Sequence, residues 1–183
     1  RRRSLLLAAL AASQARAQQA FPSARPIRYI VPVAAGGGSD LVARTTTEAW
    51  SRALGQSFVV ENIGGGGGTI ACQTAAKAPA DGYTLAIGAV PLLTNPHINP
   101  KVGYHPLKDY DLLSVAVRTP NALVTRANFP ANNVKEFVDY VKKNPGKVSF
   151  ASSGTGSSDH LTAALFWQKT GTSGIHVPYK GGA

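Results

Sequence analysis

The sequence predicts an α/β fold built on parallel sheet, and three observations carry that expectation. Apolar runs suited to buried strands alternate with helical patterns, and the connections between them are short. A unit of strand, small-residue turn and helix occurs three times, with its turn at Gly36, Gly64 and Gly154. No sequence period underlies the three occurrences, so they are a recurring architecture and not a repeat array.

The elements follow in order. Residues 27–33 read as a buried strand, and Ser39 or Asp40 caps a helix running to about Leu54, with Gly55 as its stop. A second strand over 58–60 leads through Glu61-Asn62-Ile63 into five consecutive glycines, 64–68, which open a helix over 69–77. The turn "PADG" precedes a third strand, 83–87, that ends at Gly88. Residues 91–110, rich in Pro and Asn, are expected to be irregular, and 112–117 and 122–125 to be strands. Asn132 or Asn133 caps a helix with Val134, Phe137, Val138 and Val141 at helical spacing, ending near Asn144-Pro145-Gly146. A strand over 148–151 runs into "SSGTGSSDHL", which opens a helix through Trp167 to about Gly171, and 175–177 begins another strand.

Composition narrows the function. The chain has 183 residues, 44% hydrophobic and 15% charged, a globular and not a disordered composition. Arg1, Arg2 and Arg3, an apolar run over 5–12 and the sequence Ala15-Arg16-Ala17 predict a secretory signal peptide over 1–17, cleaved before Gln18. The apolar run is too short for a bilayer, which needs about 20 residues. Arg2-Arg3-Ser4-Leu5-Leu6 resembles a twin-arginine signal, so the export route stays open. Methionine is absent, so the true start is expected upstream. Without the four arginines of the leader, 15 basic residues face 9 acidic ones, a net +6. The bases are scattered, with no basic stripe interleaved by aromatics, so nucleic acid is excluded as a partner. Cys72 is the single cysteine, which leaves no intramolecular disulfide or zinc spacing; it reads as a small buried residue. His97, His105 and His176 lie far apart, so no metal and no cofactor is expected.

The three small-residue turns carry the chemistry. Each sits after a strand and before a helix, the edge at which open α/β sheets bind ligands. Glycine lets backbone N–H groups approach closely, and a helix start adds unpaired donors and positive dipole, so the offered chemistry is anion capture by neutral donors. Nucleotide motifs fail: there is no P-loop, and the G-x-G-x-x-A match at Gly66–Ala71 lacks the acidic residue some 20 positions on. A secreted serine esterase or amidase using Ser157 and His160 is the alternative. No G-x-S-x-G elbow supports it, and Asp159, adjacent to His160, is poorly placed to orient the imidazole. His160 is expected to brace its loop or touch a ligand. A structural module without ligand is the third class.

The blocks "RPIRYIVPVAAGGGSDLVAR", "VVENIGGGGGTIACQTAAKAPADGYTL", "VKEFVDYVKKNPGKVSFASSGTGSSDHL" and "HVPYKGGA" resemble, in order and spacing, the Bug family. These are periplasmic solute-binding receptors of tripartite tricarboxylate transporters. The resemblance implies a two-lobed, Venus-flytrap architecture of the periplasmic-binding-protein kind, closing on a small organic carboxylate without catalysis. It implies the permease subunits of such a transporter as partner and the periplasm as location. The ligand contacts it implies fall on Gly36, Gly37, Gly38, Ser39 and Asp40, on Gly66, Gly67, Gly68 and Thr69, and on Ser152, Ser153, Gly154, Thr155, Gly156, Ser157, Ser158 and His160. The first lobe is expected over 18–118 and the start of the second over 119–183, with the second lobe truncated. The chain departs from the family in having Val33-Ala34-Ala35 where an aromatic and prolines are usual, and five glycines where "PGAGG" is usual.

Overall fold

The computed structural model describes residues 21–181, so the leader over 1–17 lies outside the described residues. Its first sheet has three parallel strands, β1 (Ile27–Val31), β2 (Phe58–Asn62) and β3 (Thr84–Ala86), in the order β2-β1-β3. The register aligns Ile30 with Glu61 on one side and with Ala86 on the other. The chain leaves β1 in one direction to reach β2, then crosses back over β1 to β3. Right-handed crossovers of opposite direction put their helices on opposite faces. Helix α1 (Gly38–Leu54) accordingly covers one face, where Ala43 packs on Tyr29 and Val31 with Trp50, Val60 and Leu85 around them. Helix α2 (Thr69–Ala76) covers the other and places Cys72 in a second cluster with Leu92, Val102 and Tyr104. The single cysteine is thus the buried small residue that the sequence suggested.

A second sheet pairs β4 (Ser149–Ser152) and β5 (Ile175–Pro178) in parallel, with Phe150 opposite His176. Helix α4 (Val134–Lys143) and the crossover helix α5 (Ser158–Thr170) close over it. Phe137, Val141 and Trp167 form their buried cluster, with Phe129, Val148, Phe150 and Phe166 packed against it. Four of the expected boundaries are set by identifiable groups. Gly55 and Gly171 end α1 and α5 in the left-handed conformation, at φ 61° and 63°. Asn133 and Ser157 cap α4 and α5, accepting from the amides of Glu136 and His160.

Three expectations are corrected. Part of the stretch read as irregular is helix α3 (Val90–Ile98). Pro91 falls in its first turn, where no amide is needed, and Pro96 withholds only one late hydrogen bond, from the Leu92 carbonyl. Residues 112–117 and 122–125 form no strand: they pair with no ladder among the described residues, and Leu112, Leu113, Val115, Val117, Leu123 and Val124 are exposed. Helix α1 is capped by neither Ser39 nor Asp40. It begins at Gly38 after Gly37 in extended conformation, with no side-chain cap.

Ile30 is the fourth of the five residues of the central strand and is 0% exposed. Ile30→Ala should cost about 2–5 kcal/mol, as buried branched residues do when a cavity replaces them. Urea denaturation checks this, and a loss below about 1 kcal/mol would show that the three-stranded sheet is not a stable core.

Candidate functional site

The carboxyl ends of both sheets meet at one cavity of about 150 Å³. That is room for roughly five waters. The first sheet contributes through its strand-order reversal, because the segments after β1 and β3 diverge there. Pro32, Val33 and Ser39 come from the first of these segments and Ala89, Val90 and Pro91 from the second. The turn after β2 adds Gly65 through Gly68, the connection after β4 adds Ser153, Ser157 and Ser158, and the segment after β5 adds Tyr179 and Lys180.

Backbone contacts bring these loops together. Gly65, Gly66, Gly67 and Gly68 all have positive φ, and the last three form a single 3-10 turn before α2. A Cβ on Gly67 would collide with the carbonyl oxygen of Thr155, and one on Gly154 would stand 3.1 Å from the Gly67 Cα. Only glycine permits two main chains to run this close. Helix α3 ties the same loop down. Thr94 Oγ1 donates to the Gly156 carbonyl at 3.1 Å, and Asn95, buried, donates to Thr69 Oγ1 at 2.7 Å.

An aspartate in the first turn of a helix shapes each of two loops. Asp40 is 4% exposed. Its Oδ2 accepts from the Gly36 amide at 2.9 Å and from Arg44 Nε at 3.0 Å, while Oδ1 accepts from Asn62 Nδ2 at 3.0 Å. The Arg44 side chain, then the Gly36 amide and Asn62, pull its pKa down to about 2. Asp159 does the equivalent work in the second sheet, accepting from the Ser153 amide at 2.6 Å and from Ser153 Oγ at 2.8 Å. Burial alone would raise this carboxyl, but the donors of Ser157 and Ser153 outweigh it and hold the pKa below its ordinary value.

The helix starts near the cavity leave main-chain amides without an intrahelical partner, and of these Ser39, Ser158 and Val90 belong to its lining. Helix α1 has no side-chain cap, so the first-turn amides of Gly38, Ser39 and Asp40 have no intrahelical acceptor. At α5 the Ser157 hydroxyl takes the His160 amide, which leaves those of Ser158 and Asp159. At α3 the Leu92 amide turns back to Ala89 and Pro91 has none, which leaves Val90. Among the described residues no carboxylate side chain lines the cavity, and Lys180 brings it a cation. This arrangement suits a small anion with an apolar part, held by neutral donors against Pro32, Val33, Val90 and Pro91.

Of the residues the sequence singled out, Ser39, Gly66, Gly67, Gly68, Ser153, Ser157 and Ser158 line the cavity. Gly36, Gly37, Gly38, Asp40, Thr69, Ser152, Gly154, Thr155, Gly156 and His160 stand behind that lining, and several have a different task. Asp40 turns both oxygens onto its own loop and Asn62, and Ser152 is buried against His176. Ser157 and His160 do not form a nucleophile–base pair. The Ser157 oxygen accepts from the His160 main chain, while the imidazole Nδ1 accepts from the Gly156 amide at 3.1 Å. Sequence reasoning missed the contribution of Ala89, Val90 and Pro91. The available signal was a strand ending in Gly88-Ala89 followed by a proline and an apolar run, the pattern of a helix start.

Comparison with known proteins places this geometry. Residues 42–183 match the family model described as the tripartite tricarboxylate transporter family receptor. A UPF0065 protein from the tcbD-tcbE intergenic region of Pseudomonas sp. (strain P51) is 40% identical over 99% of this chain and 55% of its own length. The structure of a Rhodopseudomonas palustris protein, Rpa4515, with adipate superposes at TM-score 0.84 and 36% identity, over 88% of this chain and 54% of that one. The periplasmic binding protein BugD gives TM-score 0.74 at 37% identity, over 86% and 53%. The protein MatC from Rhodopseudomonas palustris with bound malate gives 0.71 at 32% identity, over 88% and 55%. The chain spans about half the length of the relatives it matches.

Gly67→Ala combines positive φ with a collision against main chain, and should lower stability by at least about 1–2 kcal/mol. Gly38→Ala enters open space at a helix start and should leave stability unchanged or slightly raised. Chemical denaturation of the two variants separates them; equal stability would mean that the two loops do not meet as described.

Proposed function

The chain belongs to the family of tripartite tricarboxylate transporter receptors, and on that premise we propose that it is an exported solute-binding receptor for a small organic carboxylate. The observation that carries the reading is the cavity itself, where first turns from both sheets converge with Lys180 and no acid lines the wall. Amides from the first turns of α1 and α5 take the carboxylate oxygens, and the Gly65–Gly68 turn lets the main chain close on them. Ser39 and Ser158 add hydroxyls, and Pro32, Val33, Val90 and Pro91 receive the carbon skeleton. The adipate and malate complexes of relatives fit this chemistry.

Capture takes place between a first lobe ending near residue 118 and a second beginning near 119, with closure about the connection between them. The leader over 1–17 directs export, the periplasm is the place of action, and the membrane permease of a tripartite transporter receives the ligand. The reaction is binding and release without bond making. An esterase role for Ser157 and His160 finds no support, because the serine oxygen is committed to a helix cap and the imidazole to a loop amide.

The test is a thermal-shift titration with adipate and malate beside a chromogenic ester. A ligand bound only by the folded state stabilises by about 2.7 kcal/mol at a hundredfold excess over its Kd. A concentration-dependent rise in Tm with no ester turnover is the expected result. Turnover that Ser157→Ala abolishes, or no shift with any carboxylate, would overturn the reading.

A further inference from the structure

His160 of α5 and His176 of β5 lie face to face, ring centroids 4.0 Å apart and planes 10° from parallel. Phe150 of β4 stacks beside them, 5.0 Å from His176 and 6.4 Å from His160. Each imidazole holds one end of the connection between β4 and α5. Nδ1 of His160 accepts from the Gly156 amide at 3.1 Å, which requires that nitrogen to be unprotonated. Nε2 of His176 lies 2.6 Å from Ser152 Oγ, and that oxygen accepts from the Gly154 amide at 3.2 Å. The Gly156 amide is therefore held by His160 directly, and the Gly154 amide by Ser152, whose hydroxyl His176 orients. On either side of them lie the residues that this loop gives to the cavity, Ser153 before and Ser157 and Ser158 after.

We propose that the stacked His160–His176 pair is the positioning device of the second ligand loop, and that a proton taken up by the pair frees the loop and weakens ligand capture. The consequence for capture rests on the carboxylate-receptor reading; the brace does not. A proton from solvent on Nδ1 of His160 sets N–H against the N–H of Gly156, and the bond is lost. A proton on each ring would also stack two cations, which repel at this separation.

The surroundings set the direction. Asp159, on α5, is the acidic group that acts on His176, and it favours the proton there, although its oxygens are engaged by Ser153. β4 presents Phe150 and Ser152, and α3 reaches the loop with Thr94 and Asn95, all without charge. Burial and then the neighbouring His160 hold the His176 pKa below its ordinary value. A lowered folded pKa means that neutral His176 contributes stability that is fully present above the ordinary imidazole value of about 6.5 and is lost as pH falls through the lowered folded value.

Two readouts on the full chain test the proposal. In ligand-free protein, the nitrogen–proton signals of Gly154 and Gly156 should move with the imidazole titration, and His160→Asn should abolish the movement of Gly156. Signals that stay fixed while both rings titrate would overturn the brace. Adipate affinity is then measured from about pH 7.5 to about pH 5.5. Because adipate itself gains protons in that range, each curve is read against His160→Asn and His176→Gln, which keep hydrogen-bonding groups that do not titrate. Wild type should lose roughly tenfold more affinity than either variant across the range. Parallel curves would overturn the coupling to capture. Absence of adipate binding at every pH would instead refute the carboxylate reading, while the amide titration still decides the brace.

Discussion

The site depends on one contact that contains no side chains. The main chain at Gly67 runs against that of Gly154 and Thr155 so closely that a single methyl group on Gly67 would separate them. This contact brings the carboxyl edge of the three-stranded sheet to that of the two-stranded sheet, and the cavity is the space left beside it. Five glycines in a row lose more conformational freedom on folding than any other composition would. Four of them adopt positive φ in the structure, so that entropy is offset by a turn no other residue could make.

With the loops fixed, the electrostatics follow. In the proposed receptor an anion would be met by first-turn amides whose charges are partial and whose positions are set by the fold, so that little reorganisation would accompany binding. The carboxylates nearby are occupied: Asp40 is paired with Arg44, and Asp159 is spent on Ser153. Both aspartates shape the loops from behind and stay off the cavity wall. The repetition of this device in the two sheets, Ser39-Asp40 in one and Ser158-Asp159 in the other, explains why two short sequences so alike serve similar ends.

Much of the fold was legible because its boundaries are local. Gly55 and Gly171 stop helices through their own left-handed conformation, and Asn133 and Ser157 start them through their own side chains. What escaped reading was governed from elsewhere. Pro91 and Pro96 look like breakers, yet Leu92 and Asn95 are buried against neighbours that hold α3 in place. The apolar residues of 112–125 have strand composition, but composition does not supply a ladder partner. The site divides along the same line. Ser39, the glycines 66–68 and the serines after β4 announce themselves by type and place. Val90 and Tyr179 reach the cavity only because strand order and the parallel pairing of β4 with β5 bring them there.

The proposed function requires that helix starts from both sheets hold one ligand together. Its most direct measurement is the change in backbone amide signals as adipate is titrated into isotope-labelled protein. The amides of Gly38 and Ser39 from one sheet, and of Ser158 and Asp159 from the other, should shift together along one saturation curve. Shifts confined to the amides of a single sheet, or to exposed lysines and arginines, would contradict it.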